Sequence, residues 1–79
     1  MRATVRVRPK PGILDPQGEA VLGSLRHLGF PVSQVRVGHL IDVELEATSA
    51  DEARAQVERM CHELLANPLI ETFDVEVEP

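Results

Sequence analysis

Four stretches of this chain alternate apolar and polar residues with a period of two, and two stretches between them repeat with a helical period. In the first, Ala3, Val5 and Val7 fall on one side, with Arg2, Thr4, Arg6 and Arg8 on the other. Successive strand side chains point to opposite faces, so this pattern specifies a half-buried strand. Pro9 and the Pro11-Gly12 pair end it, because neither residue type continues a sheet ladder well. Asp15-Pro16 then opens a helix: the carboxylate can accept from the orphan amides of the first turn, and proline at the first helical position forfeits no bond. Val21, Leu22, Leu25 and Leu28 give that helix its apolar stripe, Gly29 is suited to a left-handed C-terminal cap, and Pro31 lies just beyond. Gly18 sits in the first turn, where close access to the backbone can be required.

Residues 32–47 read as a hairpin. Val35 and Val37 alternate with Gln34 and Arg36, Gly38-His39 supplies a type II′ turn, and Ile41, Val43, Leu45 and Ala47 alternate with Asp42, Glu44 and Glu46. Ser49 with Glu52 forms a capping box for a second helix. The apolar face of that helix is Ala53, Val57, Met60, Cys61, Leu64 and Leu65, and Asn67-Pro68 stops it. A last alternation sets Phe73, Val75 and Val77 against Thr72, Asp74, Glu76 and Glu78.

The order β-α-β-β-α-β predicts one α+β domain over residues 1–79 with a ferredoxin-like antiparallel sheet and two helices on one face. In this topology the sheet runs last strand, first, third, second. The charges agree. The arginine strand is flanked by two acidic strands, one with Asp42, Glu44 and Glu46 and one with Asp74, Glu76 and Glu78, while Arg36 on the edge strand lies beside the former row. Opposite charges across neighbouring strands stabilise, and like charges destabilise.

The chain has 79 residues, so folding removes only about 60% of its unfolded surface from water. Common staples for such a small core are missing. A single cysteine allows no intrachain disulfide, and no zinc spacing is present. Self-association is the remaining means of stabilisation, so a homodimer is expected. The net charge of −5 excludes a general nucleic-acid binder, and two Phe with no Trp or Tyr exclude base stacking as a binding mode. No apolar run approaches the ~20 residues of a membrane span, and the start lacks a signal core, so a soluble cytoplasmic protein is expected.

No catalytic constellation emerges. Arg2, Arg6, Arg8 and Lys10 could hold a phosphate, but opposing carboxylates favour cross-strand pairing. Cys61 and His62 point about 100° apart on a helix and cannot easily share a metal; Cys61 reads as a core residue, and His27 and His62 as exposed. His39 sits at a turn tip, solvated or in contact with a partner. The loop Lys10-Pro11-Gly12-Ile13-Leu14-Asp15-Pro16-Gln17-Gly18 carries two apolar residues, Ile13 and Leu14. They either staple the first helical turn or face a partner. From the residues alone the chain is a small binding or assembly module.

That loop resembles the opening signature of the PurS family, the small subunit of phosphoribosylformylglycinamidine synthase. Two further blocks fit: Val35-Arg36-Val37-Gly38, and Met60-Cys61 through Leu64-Leu65-Ala66-Asn67-Pro68-Leu69-Ile70-Glu71. One departure is His39, where the family often carries Lys. The resemblance implies a non-catalytic subunit in de novo purine synthesis. It would act as a dimer that joins a glutaminase (PurQ) to an ATP-dependent synthetase (PurL) and supports ammonia transfer. Formylglycinamide ribonucleotide, glutamine and ATP are thereby converted to formylglycinamidine ribonucleotide, glutamate, ADP and phosphate. It implies no cofactor or metal on this chain, with ATP and magnesium on the synthetase. The partner contacts expected are the loop from Lys10 to Gly18, His39, and the Asn67-Pro68 turn.

Two other classes share the topology. An ACT-like regulatory domain would bind an amino acid at a dimer interface. A small acyl-phosphate hydrolase needs an arginine-bearing anion loop after the first strand, where this chain has Lys10 and Asp15.

Overall fold

The strict alternation at the start of the chain produces the central strand. In the computed structural model, which describes residues 1–78, β1 spans Arg2–Pro9, β2 His39–Glu44 and β3 Glu71–Glu78. They form an antiparallel sheet in the order β2-β1-β3. The register makes two distinct faces. On one, Ala3 lies opposite Val43 and Val77, and Val5 opposite Ile41 and Val75. On the other, Arg2 lies opposite Glu44 and Glu78, and Arg6 opposite Asp74. The expected acid-base-acid face is therefore present. Arg6 reaches Asp74 at 3.2 Å and Glu76 at 2.7 Å, and Arg2 reaches Asp42 at 3.5 Å.

The helix starts form as read. In α1 (Pro16–His27) Asp15 Oδ1 accepts from the Gly18 amide at 3.1 Å. At the other end Gly29 takes φ +94°, and the Phe30 amide donates back to the Leu25 carbonyl at 3.0 Å. In α2 (Ala50–Met60) Ser49 Oγ accepts from the Glu52 amide at 3.1 Å, and Glu52 accepts in return from both the Thr48 amide and its hydroxyl.

The core lies between α2 and the sheet. Ala3, Val5, Val7, Val57, Cys61 and Ala66 are buried, with Ile41, Leu45, Met60, Leu65, Phe73, Val75 and Val77 packed around them. One residue of the expected apolar face leaves it. After Met60 the helix widens into a single π turn, Cys61–Leu65, closed by the Ala66 amide on the Cys61 carbonyl at 3.0 Å. The wider turn inserts a residue into the helical repeat. Leu65 and Ala66 therefore follow Cys61 inward, and Leu64 is left 83% exposed.

Two expectations are corrected. The β-α-β-β-α-β order is realised as β-α-β-α-β, because residues 31–38 form no ladder. Gly38 has no positive φ, so the type II′ hairpin turn is absent. The loop before α1 takes the polar groups of this segment instead. The Val37 amide donates to Asp15 Oδ2 at 2.8 Å, while Arg36 donates to the carbonyls of Ile13 at 3.0 Å and Lys10 at 2.8 Å, away from the acidic row. Only glycine allows so close an approach at Gly18, where a Cβ would stand 2.3 Å from the Val35 carbonyl oxygen.

The second correction concerns α1. Only α2 packs broadly on the sheet; Val21 and Leu28 of the α1 stripe, and Phe30 after it, remain exposed. The chain measures 50 × 24 × 14 Å with a radius of gyration of 15.8 Å, against about 12 Å for a compact domain of this length. The molecule is thus a small packed unit with a projecting helical arm.

Candidate functional site

The segments singled out in the sequence converge at one end of the sheet, where β1 leaves and β3 begins. The Lys10 amide donates to the Ile70 carbonyl at 2.8 Å, and Lys10 Nζ donates to the Pro68 carbonyl at 2.8 Å. The loop and the Asn67-Pro68 turn, distant in sequence, thereby form one surface. Asn67 shapes the turn. Its side-chain oxygen accepts from the Leu69 amide at 3.1 Å, and its carbonyl accepts from the amides of Ile70 and Glu71 at 3.1 and 2.8 Å. Glu71 closes the turn by accepting from the Asn67 amide at 2.7 Å.

The loop residues divide into those that hold its shape and those that face outward. Asp15 and Gly18 are buried. Both Asp15 carboxylate oxygens are occupied, one by Val37 and one by Gly18, and these bonds hold its carboxyl below the usual value of 3.8. In this chain both residues serve to hold the loop's shape. Gly12 turns the chain at φ +83°, beside exposed Pro11. Ile13 is half-buried. Leu14 is 78% exposed, so it does not staple the helix, and Pro16 and Gln17 are exposed beside it. Leu69 is 81% exposed on the turn, and Leu64 on the π turn lies just before it in the chain.

His39 is exposed at the start of β2, opposite Val7. It lines a hollow of about 320 Å³ together with Arg6, Val7, Arg8, Pro9, Arg36, Gly38 and Leu40. Arg36 joins this hollow to the loop through its two carbonyl contacts. Sequence reasoning missed Arg36, because its alternation with Val35 and Val37 looked like a strand residue meeting acids. A larger hollow of about 600 Å³ lies at the opposite end of β1, lined by Met1, Arg2, Glu44, Leu45 and Glu46. Its two carboxylates, Glu44 and Glu46, are balanced by Arg2 and the Met1 amino group, and it includes none of the expected partner-contact residues. Cys61 is fully buried, and burial raises its thiol pKa above 9.0. His62 is exposed and lies edge-on to the Phe73 ring at 5.3 Å. Among the described residues no three His, Cys, Asp or Glu side chains are grouped to hold a metal.

The PurS profile, described as phosphoribosylformylglycinamidine (FGAM) synthase, matches residues 2–79. The chain belongs to the PurS family. It is 41% identical over 76 residues to the PurS subunit of Archaeoglobus fulgidus, covering 95% of each chain. The crystal structure of Methanocaldococcus jannaschii PurS superposes with a TM-score of 0.86 at 37% identity, over 98% of this chain and 94% of that one. A chain in the structure of PurLQS from Thermotoga maritima gives the same TM-score at 34% identity, over 95% of this chain and 93% of that one. As a PurS-family chain it is a subunit of FGAM synthase, in purine biosynthesis. These matches do not favour an ACT-like reading.

Proposed function

We propose that this chain couples the glutaminase and synthetase subunits of FGAM synthase and contributes no reacting group of its own. The observation that carries the reading is the composite surface of the Lys10–Gly18 loop and the Asn67-Pro68 turn. It is tied together by the Lys10 bonds yet presents Leu14 and Leu69 to solvent. The PurLQS assembly from Thermotoga maritima, which contains a chain of this fold, supports it. In this reading PurQ releases ammonia from glutamine. PurL binds ATP and magnesium, activates the amide of formylglycinamide ribonucleotide and accepts that ammonia. With water, the products are formylglycinamidine ribonucleotide, glutamate, ADP and phosphate. Holding the two active sites together raises the effective ammonia concentration at the second, which is the rate advantage of proximity.

A homodimer completes this reading. The exposed apolar residues Val21, Leu28 and Phe30 on a projecting arm need cover, and a second copy supplies it. Sedimentation should give a dimer or a multiple of it at micromolar concentration; a stable monomer would contradict this. The cytoplasm is the compartment, where purine precursors are made, and no described helix is long and apolar enough to cross a membrane.

Mixing this chain with the PurL and PurQ subunits tests the coupling. Glutamine-dependent synthesis should require it, while synthesis from high ammonium should need it far less. Equal dependence of both reactions on the chain would contradict the proposal.

A further inference from the structure

We propose that the hollow between the end of β1 and residues 36–40 is a binding site for a small oxyanion of the phosphate-monoester class. Its charge is the first argument. In a chain of net −5, three arginines and a histidine line one concavity of about 320 Å³. Arg6 is neutralised by Asp74 and Glu76. Arg8 has no carboxylate within 4.0 Å among the described residues, although its strand neighbours Arg2 and Arg6 both do. Arg36 also forms no ion pair there; both of its described bonds go to backbone carbonyls. The nearby Asp15 carboxylate is committed to the Gly18 and Val37 amides. The hollow therefore keeps one guanidinium, Arg8, with no paired acid, and a second, Arg36, whose charge the nearby Asp15 carboxylate offsets only in part, with His39 beside them.

The second argument is how the site is built. The carbonyls of Ile13 and Lys10 fix the Arg36 guanidinium and leave it further N–H groups for a ligand. Gly38 brings this segment against β1: a Cβ there would lie 2.2 Å from the Val7 carbonyl oxygen. The missing side chain thus allows Arg36 and His39 to share one hollow with Arg8. Planar guanidinium forks match the oxygens of a phosphate, and anchored ones lose less entropy on binding. Pro9 and Leu40 give apolar walls beside the charge. The volume is at the small end of ligand sites, which suits a phosphate carrying a short carbon group.

The ligand's charge has two sources, free phosphate and the phosphate of a sugar ester, and both are used as probes. The ¹⁵N-labelled full chain is titrated at neutral pH and constant ionic strength with inorganic phosphate, ribose 5-phosphate and ribose. The expected result is saturable amide shifts at Gly38, His39 and Leu40 with both phosphates and none with ribose. Tighter binding of the ester would assign contact to the apolar walls; equal binding would assign the site to phosphate alone. Arg8→Ala removes a side chain with no described bond, so its spectrum elsewhere should be unchanged while phosphate affinity falls about tenfold or more. Shifts scattered over the surface, or equal affinity in Arg8→Ala, would overturn the proposal. So would a failure to bind either phosphate while Arg8→Ala weakens assembly with the larger subunits. That outcome would assign the hollow to an acidic partner surface and leave the coupling role standing.

Discussion

Gly38 and Gly23 are both glycines, yet replacing each by alanine should move stability in opposite directions. At Gly38 the new Cβ would stand 2.2 Å from the Val7 carbonyl oxygen, 3.2 Å from the Val7 carbonyl carbon and 3.4 Å from Arg8 Cα. All three are backbone atoms of the central strand, so no flexible side chain can yield. Ordinary contact requires residues 37–39 to retreat by about 1 Å, which strains the pairing of His39 with Val7. Forcing extra atoms into a packed site costs about 1–3 kcal/mol. For a domain of this size each kcal/mol lowers the melting temperature by about 4–8 °C. Gly38→Ala should therefore melt roughly 5–20 °C lower. At Gly23, inside α1, nothing lies within 4 Å of the added Cβ, and alanine favours a helix interior by about 1 kcal/mol over glycine. Gly23→Ala should melt a few degrees higher. Thermal unfolding followed at the helical circular-dichroism band, at one fixed protomer concentration, reads both variants. Wild-type stability in Gly38→Ala would refute the close approach of residues 36–40 to β1. A large loss in Gly23→Ala would show that the exposed face of α1 is tightly packed in solution.

Three further outcomes follow from the core and the loop. Val57→Ala, at a fully buried position under the sheet, should cost about 2 kcal/mol in urea unfolding; no loss would mean α2 is not seated as described. Asp15 has its carboxyl pKa lowered chiefly by the Val37 amide and then by Gly18. Its contribution is therefore full above 3.8, the unfolded value, and is lost as pH falls through the lower folded value. Asp15→Asn should flatten that acid limb of the stability curve, and an unchanged limb would refute the assignment. Cys61, buried and with its thiol pKa raised, should resist alkylation at neutral pH until the chain unfolds; rapid labelling of the native protein would contradict its burial.

Much of the fold was legible because period-two and helical patterns state which face is buried. Ala3, Val5 and Val7, with their flanking acidic strands, gave the centre and order of the sheet. The caps at Asp15, Ser49 and Gly29 could be read because their chemistry is local. What could not be read depended on distant competition. Val35 and Val37 alternate as a strand would, but the Asp15 carboxylate and the Ile13 and Lys10 carbonyls hold that segment outside the sheet. A one-residue widening of the helix at Cys61–Leu65, which has no period of its own, turned Leu64 outward. For the site, loop and turn were each visible in sequence. Their union through Lys10 was not, since it joins residues 58 apart. Arg36 and Arg8 gained meaning only once it was clear which arginines lack acids.

The coupling role is tested most directly by Leu14→Asp combined with Leu69→Asp, which places charge on the exposed apolar end of the sheet without touching the core. The double variant, mixed with PurL and PurQ, is assayed for synthesis from glutamine and from high ammonium. The account predicts an unchanged melting temperature, loss of glutamine-dependent synthesis and retention of the ammonium-dependent reaction. Full glutamine-dependent activity in a correctly folded double variant would contradict it.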